Sequence, residues 1–157
     1  HLSRILRMCL MPYSGSILIS ASNDFSVKFW KNNERKCIHS IDNAHNAWIW
    51  SILYSSRQKM LITASYDQTV KIWQVTETIE EKNKKQVHTL KTKLLFTINN
   101  HISTFSTSAL TFVDGTMESM VLVGDQAGII SVINVKTGAI EETVTTSIQL
   151  VQALAVL

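Results

Sequence analysis

The chain has 157 residues, 45% of them apolar and only 17% charged, and its 15 Lys and Arg against 12 Asp and Glu leave a formal net charge of +3. That is enough apolar material for a sizeable core, while so weak and scattered a charge makes no case for a membrane or a direct nucleic-acid partner. The two cysteines, Cys9 and Cys37, show no CxxC spacing and support neither a metal site nor a disulfide framework, and no apolar run reaches the ~18 residues of a membrane span.

In chain order, Arg4 to Met11, Ile17 to Ala21, Val27 to Trp30 and Cys37 to Ile41 are short runs rich in β-branched and aromatic residues, divided by polar or Gly/Pro-containing breaks. They read as four strands, with both cysteines as small buried hydrophobes on them. Trp48 to Tyr54, Met60 to Ala64, Val70 to Trp73 and Leu94 to Ile98 repeat the pattern. Before the last of these strands the polar stretch 76–93, with Glu80, Glu81, Lys82, Lys84 and Lys85, is expected to be a mobile, solvated insertion. Ala109 to Val113, Met120 to Val123, Ile129 to Ile133 and Ile140 to Val144 form a third, degenerate unit, and Leu150 to Val156 opens another. No convincing helical period interrupts them, so the fold class is all-β.

The first two units share a passage. Ile19-Ser-Ala-Ser-Asn-Asp-Phe-Ser-Val-Lys-Phe-Trp30 recurs as Ile62-Thr-Ala-Ser-Tyr-Asp-Gln-Thr-Val-Lys-Ile-Trp73, with both Asp and Trp displaced by 43 residues. A fixed offset of that size marks a repeat architecture. Four-stranded units of this length, with an Asp turn before a Val-x-aromatic/Ile-Trp strand, resemble the WD-repeat (WD40) β-propellers. Ala44-His45 and Asn100-His101 stand where that family has Gly-His, and Trp30-Lys31 and Trp73-Gln74 where it has Trp-Asp. The units run at about 1–42, 43–98 with the insertion 76–93, and 99–146, and 147–157 supplies the first strand of a further blade.

The resemblance implies a hydrogen-bonded tetrad in each blade: His45, Thr63, Asp67 and Trp73 in the second unit, and His1, Ser20, Asp24 and Trp30 in the first. In the third unit His101 remains, but Val123, Ala127 and Ile133 cannot complete the network. His45, Thr63 and Asp67 also have the chemistry of a hydroxyl, imidazole and carboxylate triad. A nucleophile needs an exposed hydroxyl beside oxyanion donors, commonly on a strained Gly-flanked turn, whereas Thr63 lies mid-strand, which favours a structural network. The His spacing gives no metal site and the dispersed glycines give no phosphate loop, so no catalytic, cofactor or metal residues are assigned.

The resemblance also places partner-binding positions at the third and fifth residues after each His and just before each turn Asp. These are Trp48, Trp50 and Tyr66 in the second unit, Arg4, Leu6 and Asn23 in the first, and Gln126 in the third, with Ser106 and Ser108 if the loop after His101 is absorbed before its strand. Strand alternation puts Trp48 and Trp50 on one side, either as rim anchors or as inter-blade packing. Such a rim suits a peptide or protein better than a phosphate backbone.

The implied function is a non-enzymatic interaction scaffold in an intracellular multiprotein complex, cytoplasmic or nuclear. The alternatives are a substrate-recruiting or sensor propeller of a larger regulator, such as a ubiquitin-ligase adaptor or a nucleotide-binding signalling protein, and more remotely a propeller-scaffold enzyme. Three units and one strand do not close a ring, so the expectation is an incomplete propeller, completed by further blades on either side or by a second chain.

Overall fold

The computed structural model describes residues 1–12, 17–82, 85–99, 107–113, 115–146 and 151. The chain forms twelve strands in three antiparallel sheets of four. The first sheet contains β1 (Ile5–Met11), β2 (Ile17–Ser22), β3 (Val27–Lys31) and β4 (Lys36–Ile41), paired in that order. The second contains β5 (Ile49–Ser55), β6 (Met60–Ser65), β7 (Thr69–Lys82) and β8 (Lys85–Asn99), and the third β9 (Thr107–Phe112), β10 (Met120–Asp125), β11 (Ile129–Asn134) and β12 (Ile140–Thr145). The expected strand of a further blade, Leu150 to Val156, lies outside the described residues apart from Val151.

Each sheet packs face to face on the next, and strand alternation supplies the two faces. Ile17, Ile19, Ala21, Val27 and Phe29 of the first sheet are wholly buried and form one core with Ile52, Tyr54, Leu61 and Trp73 of the second. Ile62, Ala64, Val70 and Ile72 point the other way and join Val121, Val123, Ile133 and Val135 of the third. The second sheet is therefore apolar on both faces, and β6 is buried from Leu61 to Ser65. Each such side chain contributes about 1.5–3 kcal/mol of burial, so the sheets depend on their neighbours rather than on themselves. On the other side of the first sheet Met8 and Leu10 are exposed, and the described sheets do not close into a ring. Cys9 and Cys37 lie on β1 and β4 but are only half-buried.

Irregularities recur from sheet to sheet. The turn between the second and third strands places Phe25, Gln68 and Gly128 at φ of 67°, 67° and 81°, so one left-handed geometry is built three times and only the third sheet uses glycine for it. The first strand also slips register against the second between Ile5 and Arg7, between Ile49 and Ser51, and between the residues facing Gly124 and Asp125. These shifts are β-bulges, and Leu6, Trp50 and Ser108 are the unpaired residues.

The stretch 76–93 is not the mobile loop expected. β7 and β8 stay paired from Thr69 and Asn99 through to Lys82 and Lys85, so the insertion is a β-ribbon continuing the blade's own hairpin. Its base is anchored: Val75 and Leu90 are buried with Met11 and Tyr54, and His39 Nε2 lies 2.9 Å from Thr92 Oγ1. Paired backbone groups and alternating β-branched residues satisfy such a segment despite its polar composition. Where the second and third sheets meet, the turn before β12 lies on Phe96. A Cβ at Gly138 (φ 72°) would come within 2.7 Å of the Phe96 ring, so only glycine fits there without a shift.

Candidate functional site: polar blade centres and an aromatic corner

In the second sheet, β6 supplies Thr63, the following turn Asp67, β7 Trp73, and the segment before β5 His45. Trp73 Nε1 donates to Thr63 Oγ1 at 3.1 Å, Thr63 Oγ1 lies 2.7 Å from His45 Nε2, and His45 Nδ1 lies 3.0 Å from Asp67 Oδ2. One hydrogen assignment satisfies all three contacts: indole to hydroxyl, hydroxyl to imidazole, imidazole to carboxylate. Asp67 also accepts from the backbone N–H of Asn46 and Thr69 and from the Thr69 hydroxyl, at 2.9, 3.0 and 2.6 Å.

The first sheet brings its four residues together in the same way. Trp30 Nε1 donates to Ser20 Oγ at 2.7 Å, Ser20 Oγ is 2.6 Å from His1 Nε2, and His1 Nδ1 is 3.1 Å from Asp24 Oδ2. Thr63 and Ser20 are buried to 1% exposure or less, which denies either hydroxyl a substrate. Both groups fasten a turn, a strand and the incoming segment.

Burial lowers the pKa of His45, outweighing the attraction of Asp67, so the imidazole is neutral at pH 7 and the contact is a hydrogen bond to a carboxylate rather than an ion pair. Burial pushes the Asp67 carboxyl up, but the bonds from His45, Thr69 and Asn46 hold it well below the usual carboxylate range. Asp24 is also lowered, by Ser26 and Leu2 against its own burial, and burial alone lowers half-buried His39. These directions fix the acid response. A histidine held neutral when folded contributes stability above its unfolded pKa of about 6.5, lost as pH falls below it, and a carboxyl with a depressed pKa contributes stability above about 3.9, lost as pH falls through the folded value. The urea midpoint is expected to fall in two stages, below about pH 6.5 and again below about pH 4. A midpoint flat from pH 7 to 5 contradicts a neutral, buried His45.

The third sheet solves the turn differently. Asp125 sits two residues before Ala127, the position aligned with Asp67, and is fully buried. Its carboxylate accepts from the backbone N–H of Ala127 and Ile129, both at 2.9 Å, and its carbonyl accepts from Val151 at 2.9 Å. This role was missed in the sequence because alignment to the other turns draws attention to Ala127. His101, like Ser106, lies outside the described residues.

At the same end of the second sheet, Trp48 and Tyr66 are 45% and 52% exposed. Their ring centroids are 5.9 Å apart, and Trp48 meets Trp50 edge-on at 6.1 Å. The backbone sets this arrangement: Tyr66 N–H donates to Trp48 C=O at 2.9 Å, and the buried Ser65 hydroxyl donates to the same oxygen at 3.0 Å. Strand alternation does not govern Trp50, because it is the bulged residue. Trp50 is half-buried and its indole nitrogen is enclosed without a hydrogen-bond partner. Trp48 and Tyr66 therefore form the accessible surface, and Trp50 supports them.

The remaining rim residues divide. Arg4 is exposed; Leu6, Asn23 and Gln126 are half-buried. Asn23 N–H donates to Arg4 C=O at 2.9 Å, the same link that joins Tyr66 to Trp48, and its side-chain oxygen is enclosed without a partner. Among the described residues no group of three His, Cys, Asp or Glu could hold a metal ion, and no helix is long and apolar enough to cross a membrane.

Comparison with known proteins agrees with this geometry. The family model of the WD domain, G-beta repeat, matches residues 1–31 and 35–74. The chain is similar to nuclear distribution protein PAC1 of Arthroderma otae, 32% identical over 65 residues, which is 41% of this chain and 14% of that protein. It is also similar to human pre-mRNA-processing factor 17, 30% identical over 79 residues, 50% of this chain and 13% of that protein. Among solved structures, that of the RRP9 WD40 repeats superposes with a TM-score of 0.75 at 22% identity, covering 98% of this chain and 42% of that one. The chain thus spans less than half of each. WD-repeat propellers are in general non-enzymatic scaffolds for protein interaction. Residues 1–31 and 35–74 are WD repeats, and the chain as a whole has the fold of four-stranded β-propeller blades.

Proposed function

We propose that the chain is a non-enzymatic interaction scaffold within an intracellular multiprotein complex, and that it takes a protein or peptide segment on the corner formed by Trp48, Tyr66 and the supporting Trp50. The observation that carries this is two large aromatic rings in solvent whose residues are joined by the backbone bond from Tyr66 N–H to Trp48 C=O. Exposed, rigid aromatics lose little side-chain entropy on binding and are typical interface anchors. Arg4, Leu6, Asn23 and Gln126 occupy the corresponding positions of neighbouring blades and extend the surface. With Arg4 as its one charge, this face offers little to a phosphate backbone. The polar blade centres serve as internal braces that fix the turns carrying the rim.

The test is affinity purification of the intact protein from cells, followed by titration of the recovered partner against wild type and Trp48→Ala. Because Trp48 is half in solvent, the substitution is expected to change stability by no more than about 0.5 kcal/mol. Loss of a hot-spot ring weakens binding by about thirtyfold or more. Unchanged affinity together with lower thermal stability would show that Trp48 is packing rather than recognition.

A further inference from the structure

At the opposite end of the blades, the turn between β5 and β6 meets the connection between β9 and β10. Glu118 joins them: its carboxylate accepts from the Ser55 hydroxyl at 2.7 Å and from the Arg57 backbone N–H at 3.1 Å. Gln58 Nε2 donates to Met117 C=O at 2.9 Å, a second tie between the blades. Within the connection, Thr116 Oγ1 donates to Val113 C=O at 2.7 Å and Ser119 Oγ to Thr116 C=O at 2.6 Å.

This connection is held in an unfavourable shape. Met117 and Glu118 are consecutive non-glycine residues at φ of 53° and 61°. Such residues persist only where their surroundings over-determine them, and they cluster at ligand clamps. Beside them is a cavity of about 510 Å³, lined chiefly by Arg57, Thr111, Phe112, Val113, Met117 and Glu118. That volume falls within the range of ordinary ligand pockets.

The lining combines an apolar wall with two charges of unequal availability. Phe112, Val113 and Met117 form the wall, and Met117 is 70% exposed. Glu118 already accepts from Ser55 and Arg57. Arg57 enters that network only through its backbone N–H, and its guanidinium makes no ion pair among the described residues. A planar guanidinium matches a carboxylate through two parallel hydrogen bonds. A doubly charged phosphate is less suited, because the Glu118 carboxylate lies on the same wall.

We infer that this cavity is a second binding site, for a partner segment that presents a carboxylate next to a bulky apolar side chain. Arg57 takes the carboxylate and Phe112, Val113 and Met117 take the apolar group, while the Glu118 ties hold the two blades in register. The site lies at the other end of the same blades from the aromatic corner, so the two can be occupied together.

The probe is the peptide acetyl-Gly-Phe-Leu with a free C-terminal carboxylate, titrated into the full chain by NMR beside its C-terminal amide. The carboxylate form is expected to give saturable shifts at Gly115 and Met117, with the amide binding about tenfold more weakly. Arg57→Gln keeps the backbone bond to Glu118, so a similar loss in that variant reads the guanidinium alone. Met117→Ala is expected to weaken both peptides, and Trp48→Ala to leave both unchanged, which separates this site from the proposed corner. Equal binding of the two peptides, wild-type affinity in Arg57→Gln, or absence of saturable shifts would overturn the inference. Displacement of the peptide by a lower concentration of inorganic phosphate would overturn the choice of a carboxylate.

Discussion

Replacing Asp67 by Ala is expected to lower the stability of the chain by about 3 kcal/mol or more, since each buried donor left unsatisfied costs about 1–3 kcal/mol. Asp67 gathers bonds from the His45 imidazole, the backbone N–H of Asn46 and Thr69, and the Thr69 hydroxyl. Its removal leaves His45 Nδ1, which is shut away from water, with only the Thr69 hydroxyl at 3.1 Å. The effect should not stop at the turn, because His45 orients Thr63, and Thr63 accepts from Trp73. Asp67→Asn keeps one accepting oxygen and should recover part of the loss. Urea unfolding measures the total, and amide exchange locates it, with β6 and β7 losing protection first. If Asp67→Ala unfolds at the wild-type urea concentration, the network is not a brace.

Phe29→Ala is expected to cost about 3–5 kcal/mol, the range for deleting a large aromatic from a core that cannot collapse around the gap. Phe29 is fully buried and packs between the first and second sheets, with its ring 5.4 Å from that of His39. Because each sheet contacts only its sequence neighbours, the damage should uncouple the first blade from the second and spare the third. Amide exchange should show β2 and β5 opening while β10 and β11 remain protected. Met8→Ala is the control: Met8 is 60% exposed on the other side of the same sheet, so a change within about 0.5 kcal/mol is expected. Equal losses in the two variants would contradict the packing described for this interface.

The strands, their grouping in fours and the two polar centres were legible in the sequence because each depends on a local, repeated pattern. Short apolar and β-branched runs between polar breaks define β2, β3, β6 and β10, and the offset between Asp24 and Asp67 carries one turn onto the other. Features made by pairing rather than by pattern were not legible. Nothing in Ala47-Trp48-Ile49-Trp50 signals that Trp50 is bulged, although its ring meets that of Trp48. Charge in the stretch 76–93 suggested a loop, although Val75, Thr76, Thr78, Thr89, Leu90 and Thr92 have strand-compatible side chains. Asp125 escaped notice because it bonds Ala127 and Ile129 from a position two residues off the repeat. Nor does any local motif announce the Glu118 clamp, which joins residues about 60 positions apart.

The long ladder of β7 and β8 has a consequence for how this protein can change in length. Beyond a bulge at Leu95, every rung from Trp73 and Leu94 to Lys82 and Lys85 pairs one residue from each arm. Gene-level gain or loss near the tip is therefore absorbed only when it falls on both arms together, and unequal changes must be taken up as a bulge or a longer turn. Matched changes leave the anchored base at Val75, Leu90 and Thr92 untouched. The ribbon behaves as a telescoping arm whose reach changes by about 3.3 Å for each added pair while the blade beneath it keeps its register.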